Sequence, residues 1–160
     1  MDNPQTRKIR DWMSEHPIKI SSSTTLPEAY WLMVENNIRR LLVVDNDNLV
    51  GIVTMEDLRG SFRSEVIAIN PLRANEILSE MPIRQLMSKD PITISPDVNV
   101  IEAAETMLKH KISTLPVASE GKVVGVITES DLFRVLVDMC RGQEVQGDRK
   151  AEIGISKADE

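Results

Sequence analysis

The stretch Gly125-Val126-Ile127-Thr128-Glu129-Ser130-Asp131 has a second copy in this chain, Gly51-Ile52-Val53-Thr54-Met55-Glu56-Asp57, with the same spacing of glycine, threonine and aspartate. The β-branched run after each glycine is typical of a buried strand. The apolar helical pattern that follows predicts a helix with the threonine as its N-cap and the aspartate in its first turn. A hydroxyl, a carboxylate and free backbone N–H groups therefore meet at each corner. Such a group serves either as a plain helix cap or as a site for a sugar and a phosphate.

The duplication extends well beyond this motif. Met13-Ser14-Glu15-His16-Pro17-Ile18-Lys19-Ile20 matches Met87-Ser88-Lys89-Asp90-Pro91-Ile92-Thr93-Ile94 at the same offset. The match runs without a gap from Ile9 to Gly60 against Ile83 to Arg134. Because only two copies are present and each is long, the chain is predicted to form two similar units rather than a solenoid.

Composition narrows the class of protein. The chain has 160 residues with 41% apolar and only 3% aromatic side chains, so a core of Ile, Val, Leu and Met is expected. A formal net charge of −6 argues against partnership with nucleic acid or an anionic membrane. The one cysteine, Cys140, fits a reducing compartment, and neither a membrane span nor a signal peptide is recognisable. These features predict a cytoplasmic protein.

Periodicity and turn residues predict the order β-α-β-β-α in each unit. In the first unit we expect a short helix over 6–13, strands at 18–20, 41–44 and 49–53, a helix ending near 36–37, a turn at 45–48 and a helix from 55. In the second we expect strands at 92–94, 115–118 and 123–127, helices over 100–110 and to about 140, and a turn at 120–122. The repeat bounds predict a first unit at 9–62, a spacer at 63–82 with a break at Asn70-Pro71 and a helix over 72–78, a second unit at 83–140 and a polar tail at 141–160.

A three-stranded sheet with helices on one face leaves its other face uncovered. Two tandem units solve this by packing face to face with pseudo-two-fold symmetry, which is a mixed α/β (α+β) fold. This arrangement predicts two clefts between the units, lined by the two Thr-x-x-Asp corners.

These two units resemble a cystathionine β-synthase (CBS) domain pair, or Bateman module. Each opens with Met-Ser-x-x-Pro-Ile-x-Ile and closes with glycine, two apolar residues and Thr-x-x-Asp-Leu. The second unit also has the family's Leu115-Pro116-Val117, where the first has Leu41-Leu42-Val43 without the proline. The resemblance covers about Ile9 to Met139. It implies a regulatory module that binds an adenosine-containing ligand (AMP, ADP, ATP, NAD or S-adenosylmethionine) between the units, a homodimer, and an unknown regulated protein as partner.

The resemblance also implies the ligand-binding residues. Asp57 and Asp131 correspond to the residue that holds the ribose hydroxyls, and Thr54, Glu56, Thr128 and Ser130 to further ligand contacts. Arg39 and Arg40 occupy the phosphate position of the first unit, where the second has Ser113 and Thr114. Thr25 and Asn99, with their neighbours Thr24 and Val98, are expected to border the clefts. The two clefts are therefore expected to differ, and the one with the arginines is the better anion site.

Simpler interpretations exist for each of these residues. The two aspartates could only cap helices, the arginines could be solvated, and Ser113 and Thr114 could be turn residues. His16 and His110 lack partners at metal-ligand spacing, and Cys140 is expected to be a structural thiol. Tyr30 and Trp31 either fill the core or form an exposed patch for a second copy of the chain, which we favour.

Three classes of function follow. A non-catalytic ligand sensor is favoured over a constitutive dimerisation or interaction protein with empty clefts. An enzyme is least favoured, because no nucleophile–base pair, metal cluster or glycine-rich phosphate loop is recognisable.

Overall fold

The computed structural model describes residues 3, 6–61 and 73–142. Its strands are β1 (Ser14–Glu15), β2 (Lys19–Ile20), β3 (Arg40–Asp45), β4 (Asn48–Thr54), β5 (Ser88–Lys89), β6 (Thr114–Ser119) and β7 (Lys122–Thr128). Its helices are α1 (Leu26–Glu35), α2 (Met55–Ser61), α3 (Ala74–Glu80), α4 (Val100–His110) and α5 (Glu129–Gly142), with 3-10 turns at Ile9–Asp11 and Ile83–Gln85. The mixed α/β fold of two similar units is confirmed. The Asn70-Pro71 break and residues 143–160 of the predicted tail lie outside the described residues.

Three predicted elements differ from the structure. The spacer helix is described over Ala74–Glu80, so it ends at Glu80 instead of residue 78, and residue 72 lies outside the described residues. The helix predicted over 6–13 is reduced to the 3-10 turn at Ile9–Asp11, because backbone N–H groups in this segment bond across to the second unit. Ile9 N–H donates to the carbonyl of Val98 at 3.0 Å, and Arg10 N–H donates to that of Pro96 at 3.1 Å.

The third difference is the strand predicted at 92–94, which is only an isolated bridge between Ile94 and Val117. The equivalent segment of the first unit, β2, pairs in parallel with β3 through Lys19 with Leu42 and Ile20 with Val43. The repeat places Pro116 where the first unit has Leu42. Because proline has no backbone N–H, the second ladder cannot extend in the same way.

The two repeats exchange short strands, which the residue patterns did not predict. One sheet has the order β2-β3-β4-β5 and the other β1-β7-β6. Strand β1 comes from the first repeat but pairs with β7 of the second, and β5 comes from the second repeat but pairs with β4 of the first. Each sheet therefore contains a strand from the other repeat.

Each of the two hydrophobic cores also contains residues from the other repeat. Ile9 is fully buried in the core of the second unit, with Trp12 and Met13 packed against it. Ile83 is fully buried in the core of the first unit, with Met87 beside it. The first core consists of Ile20, Leu26, Ala29, Met33, Leu41, Val43, Val53, Leu58, Leu78 and Ile83. The second consists of Ile9, Ile94, Ala103, Met107, Leu115, Val117 and Ile127.

The glycine of each repeated motif lies where an exchanged strand crosses the sheet. A Cβ atom on Gly125 would be 2.6 Å from Met13 Sδ and 2.9 Å from the carbonyl oxygen of Ser14. A Cβ atom on Gly51 would be 2.5 Å from Met87 Sδ. The Met-Ser motif of each repeat thus packs on the glycine motif of the other repeat. This close packing leaves no room for a side chain at the glycine position.

Candidate functional site

Both Thr-x-x-Asp corners form helix caps. Thr54 donates to Asp57 Oδ2 from its backbone N–H at 2.8 Å and from its hydroxyl at 2.7 Å, and Asp57 N–H donates back to Thr54 Oγ1 at 3.1 Å. Thr128 donates to Asp131 Oδ2 in the same two ways, at 2.8 and 2.9 Å. One carboxylate oxygen of each aspartate is therefore committed to its own helix.

The second carboxylate oxygen distinguishes the two corners. Arg134 Nη1 donates to Asp131 Oδ1 at 3.0 Å, and the Asp131 side chain is only 5% exposed. The repeat places Gly60 at the position equivalent to Arg134. Asp57 is half-buried, and its Oδ1 has no hydrogen-bond partner among the described residues. The corner of the first unit thus keeps an acceptor available, while that of the second is paired.

Strand register places the predicted phosphate residues beside the corners. Arg40 pairs directly with Thr54 across β3 and β4, and the first N–H of α2, from Met55, donates to the carbonyl of Arg39 at 2.8 Å. In the second unit Thr114 pairs with Thr128 across β6 and β7. Arg39 therefore lies directly before β3 and Arg40 begins it, at the point where the neighbouring strand β4 passes into α2.

A cleft of about 1040 Å³ lies between the two units. Half of the predicted ligand residues line it, contributed by both repeats: Arg39, Arg40, Thr54, Glu56, Ser113 and Thr114. Arg40 Nη2 crosses the cleft to hydrogen-bond Ser113 Oγ. The sequence resemblance assigns Arg39 and Arg40 to one cleft and Ser113 and Thr114 to a second, different cleft, whereas the structure places all four on the same cleft.

Several lining residues were not predicted: Arg59, Ser88, Asp90, Pro91, Ile92 and Lys111. Residues 88–92 reach the cleft because β5 pairs with β4 of the other repeat. The sequence signal for this placement of residues 88–92 was that both the Met-Ser motif and the glycine motif occur in each repeat.

The other six predicted residues do not line this cleft. Asp57, Thr128 and Asp131 form the caps described above, and Ser130 is exposed on the first turn of α5. Asn99 caps α4 by accepting from Glu102 N–H at 2.9 Å. A role of these residues in ligand binding stays a prediction.

Thr25 caps α1 and is the sixth of these residues. Its backbone N–H and its hydroxyl donate to the Glu28 carboxylate at 2.8 and 2.9 Å. The hydrogen bond from the Thr25 backbone, followed by that from its side chain, lowers the pKa of Glu28 from its ordinary value. This capping box fixes the start of α1.

One polar atom in the cleft is unsatisfied. Thr114 is 7% exposed, and its hydroxyl has no hydrogen-bond partner among the described residues. An unpaired buried hydroxyl costs about 1–3 kcal/mol. Thr114 lines the cleft, but its hydroxyl oxygen exposes less than 1 Å² of surface, so it meets a bound molecule only if the side chain rotates.

The outer helices carry an exposed apolar surface. Phe133, Leu136 and Val137 on α5 are 63%, 56% and 48% exposed, at helical spacing that places them on one face. The two aromatic residues of α1 separate: Tyr30 packs against the first core, whereas Trp31 is 59% exposed. The predicted shared patch of Tyr30 and Trp31 is therefore wrong for Tyr30, because its ring is needed in the core.

The described helices include none with the length and apolar character needed to cross a bilayer.

Comparison with known proteins identifies relatives of the whole described chain. The family model for the CBS domain matches twice, over residues 9–64 and 83–138. A CBS domain-containing protein of Dictyostelium discoideum is 36% identical over 131 residues, which cover 81% of this chain and 90% of that protein. Four further curated relatives are 29–33% identical, and the chain spans only 24–49% of their length.

Solved structures of CBS proteins share the fold. The CBS domain pair of protein MJ0100, in complex with 5′-methylthioadenosine and S-adenosyl-L-methionine, matches with a TM-score of 0.70 and 28% identity over 82% of this chain and 97% of that chain. CBSX2 of Arabidopsis thaliana in complex with AMP matches with a TM-score of 0.70 and 25% identity over 84% of this chain and 99% of that chain.

Proposed function

This chain belongs to the CBS domain family, and we propose that it is a non-catalytic regulatory module that binds an adenosine-containing ligand in the cleft between its two units. The observation that carries the proposal is the convergence of Arg39, Arg40 and Thr54 with Ser113 and Thr114 on one cleft. Similar structures of CBS proteins were solved with AMP and with S-adenosylmethionine.

The size and chemistry of the cleft support a small-molecule site. Its volume of about 1040 Å³ is at the upper end of the range for ligand pockets, about 300–1,000 Å³. Its wall offers the guanidinium groups of Arg39 and Arg40 for a phosphate and, after rotation of the side chain, the unsatisfied Thr114 hydroxyl for a hydrogen bond. The free oxygen of Asp57 lies at the adjoining corner, where the family resemblance places ribose binding.

The proposed signal is a change in the relative orientation of the units. Arg40 already bridges to Ser113, so a ligand that competes for the Arg40 guanidinium replaces a direct contact between the units. The ligand shifts the equilibrium between two orientations only by its difference in affinity for them.

We further propose that two copies pair through the exposed face of α5. Phe133, Leu136 and Val137 form a contiguous apolar stripe on an outer helix, where a second copy would bury it. A change in unit orientation would then alter the dimer and the surface offered to a regulated protein. A cytoplasmic location is part of this proposal.

The same apolar stripe favours one alternative, a constitutive dimerisation protein whose clefts stay empty. The two hypotheses differ in the effect of ligand on stability, because a ligand that prefers the folded chain raises its melting temperature. Incubation of the bound nucleotide followed by chromatography tests the proposed lack of catalysis, and turnover of the nucleotide would contradict it.

The direct test is a titration of wild type, Thr114→Val and Thr106→Val with AMP, ATP and S-adenosylmethionine, by calorimetry and thermal shift. Thr114→Val removes a hydroxyl that has no partner, so we expect unchanged or higher stability without ligand and about fivefold weaker binding, equivalent to one hydrogen bond. Thr106→Val is the matched control, since Thr106 is half-buried on α4 outside the cleft and, among the described residues, its hydroxyl bonds only the Glu102 carbonyl. Failure of all these ligands to bind wild type at millimolar concentration would reject the sensor function.

A further inference from the structure

We infer that the cleft selects a nucleoside di- or triphosphate over AMP and over S-adenosylmethionine, through a second pair of cations, Arg59 and Lys111. This inference rests on the proposed function and specifies its ligand. Neither residue belongs to the repeated Thr-x-x-Asp corner or to the phosphate position that precedes β3 and β6.

The cleft concentrates positive charge in an acidic protein. Arg39, Arg40, Arg59 and Lys111 line it together with only two carboxylates, those of Glu56 and Asp90, whereas the whole chain has a formal net charge of −6. Cations enclosed by a concave wall focus a positive potential, which attracts anions. The cleft therefore differs in sign from the rest of the molecule.

These cations are not neutralised by neighbouring acids. Within the described residues, Arg39, Arg59 and Lys111 form no ion pair, while Arg7, Arg10, Arg73 and Arg134 each do. The three unpaired groups come from three different segments: the start of β3, the last turn of α2 and the end of α4. An anion held between them would be contacted from both units at once.

Lys111 adopts a backbone conformation that does not suit a lysine. It ends α4 with φ 55° and ψ 42°, in the left-handed region. Its repeat equivalent, Asn37, has φ 50°, and asparagine is one of the few residues that tolerate this conformation. Helix termination alone would favour asparagine or glycine at residue 111, so the lysine side chain at the cleft wall needs another explanation.

Counting phosphate charge leads to the ligand class. A phosphomonoester carries about −1.5 to −2 charges, which Arg39 and Arg40 are sufficient to balance. The carboxylates of Glu56 and Asp90 offset part of the total positive charge, but within the described residues neither forms an ion pair with Arg59 or Lys111, so this second pair of cations is available to one or two additional phosphates. S-adenosylmethionine carries a sulfonium cation and no phosphate, so the same four side chains disfavour it.

The test is a calorimetric titration with ATP, ADP, AMP, adenosine and S-adenosylmethionine at low and high salt. We expect wild type to bind ATP or ADP at least about tenfold more tightly than AMP, and the difference to shrink as salt increases. Lys111→Asn and Arg59→Gln should each weaken ATP binding about tenfold and AMP binding by less than about twofold. Lys111→Asn should also keep or raise the melting temperature of the free protein, because asparagine fits the left-handed backbone.

Lys109→Gln and Arg141→Gln are charge-matched controls on exposed positions outside the cleft, and should leave every affinity unchanged. Equal affinity for AMP and ATP, tighter binding of S-adenosylmethionine, or equal losses for AMP and ATP in the variants would overturn the inference while leaving the sensor function intact. Absence of binding by all five compounds would overturn both.

Discussion

Replacement of Gly125 by alanine should destabilise the protein, because the added methyl group would collide with the exchanged strand β1. Its Cβ atom would be 2.6 Å from Met13 Sδ and 2.9 Å from the Ser14 carbonyl oxygen. The methionine can move, but the carbonyl belongs to a strand that is paired in register with β7. Overpacking of this kind typically costs about 1–3 kcal/mol. For a chain of this size the melting temperature falls by about 2–4 °C for each kcal/mol.

Urea denaturation of five variants measures the effect: Gly125→Ala, Gly51→Ala, Gly60→Ala, Met13→Ala and the double variant Gly125→Ala/Met13→Ala. Gly51→Ala should lose a similar amount of stability, since its Cβ atom would be 2.5 Å from Sδ of Met87, the residue that precedes the exchanged strand β5. Gly60→Ala is the control: within α2, its Cβ atom meets nothing within 4 Å among the described residues, and alanine is favoured over glycine in a helix by about 0.5–1 kcal/mol. The double variant Gly125→Ala/Met13→Ala should show a coupling energy of at least about 0.5 kcal/mol, because Met13 is one of the two colliding groups.

The reasoning would be refuted if Gly125→Ala changed the unfolding free energy by less than about 0.5 kcal/mol, the range of ordinary surface substitutions. Absence of coupling with Met13 would show that the loss has another origin. Either result would mean that the exchanged strand β1 does not pack closely enough against Gly125 to exclude a methyl group.

Three further predictions concern other parts of the molecule. Glu28→Gln should be less stable than wild type near neutral pH, and its stability should fall less than that of wild type as the pH is lowered. The folded pKa of Glu28 is lowered, so the stability that its carboxylate contributes is present above the ordinary value of 4.5 and is lost as pH falls through the folded pKa. Thermal melts of both proteins at pH 3 to 7 measure this difference. Leu136→Glu should convert the proposed dimer into a monomer, as measured by sedimentation velocity. It should not lower the melting temperature of the monomer, since the side chain is 56% exposed. An unchanged dimer would exclude the α5 face as the dimer interface. Gly121→Ala should destabilise the hairpin of the second unit by about 1–2 kcal/mol in urea, because Gly121 has φ 77° in its turn, whereas an effect below about 0.5 kcal/mol would contradict the assigned turn conformation.

Most secondary structure was predictable from local pattern. The helix over Val100–His110 and the hairpin strands of both units lie where the apolar periodicity and the turn residues placed them. Local signals suffice here because a helix or a hairpin is formed by contacts between residues near one another in the chain. The N-terminal helix failed for the opposite reason, since the backbone of Ile9 and Arg10 bonds to residues far along the chain.

The cleft was predicted in part. Arg40 and Thr54 were placed correctly as neighbours because they are partners in one hairpin. Lys111 and Asp90 could not be found in this way: each reaches the cleft through packing of one unit on the other, which leaves no periodic trace in the sequence. Thr25 caps α1, and its predicted place at a cleft stays a prediction, since a threonine before a helix and a hydroxyl facing a ligand look alike in sequence.

The crossing of the short strands has a consequence for biosynthesis. Strand β1 emerges from the ribosome long before its partner β7, which spans Lys122–Thr128. The sheet β2-β3-β4-β5 likewise cannot be completed until β5, which follows α3 in the chain, has been synthesised. Contacts between such distant residues raise the contact order and slow folding, because a long loop must close before they form. We therefore expect the two halves to complete their tertiary structure together once β7 has been synthesised, rather than one after the other during translation.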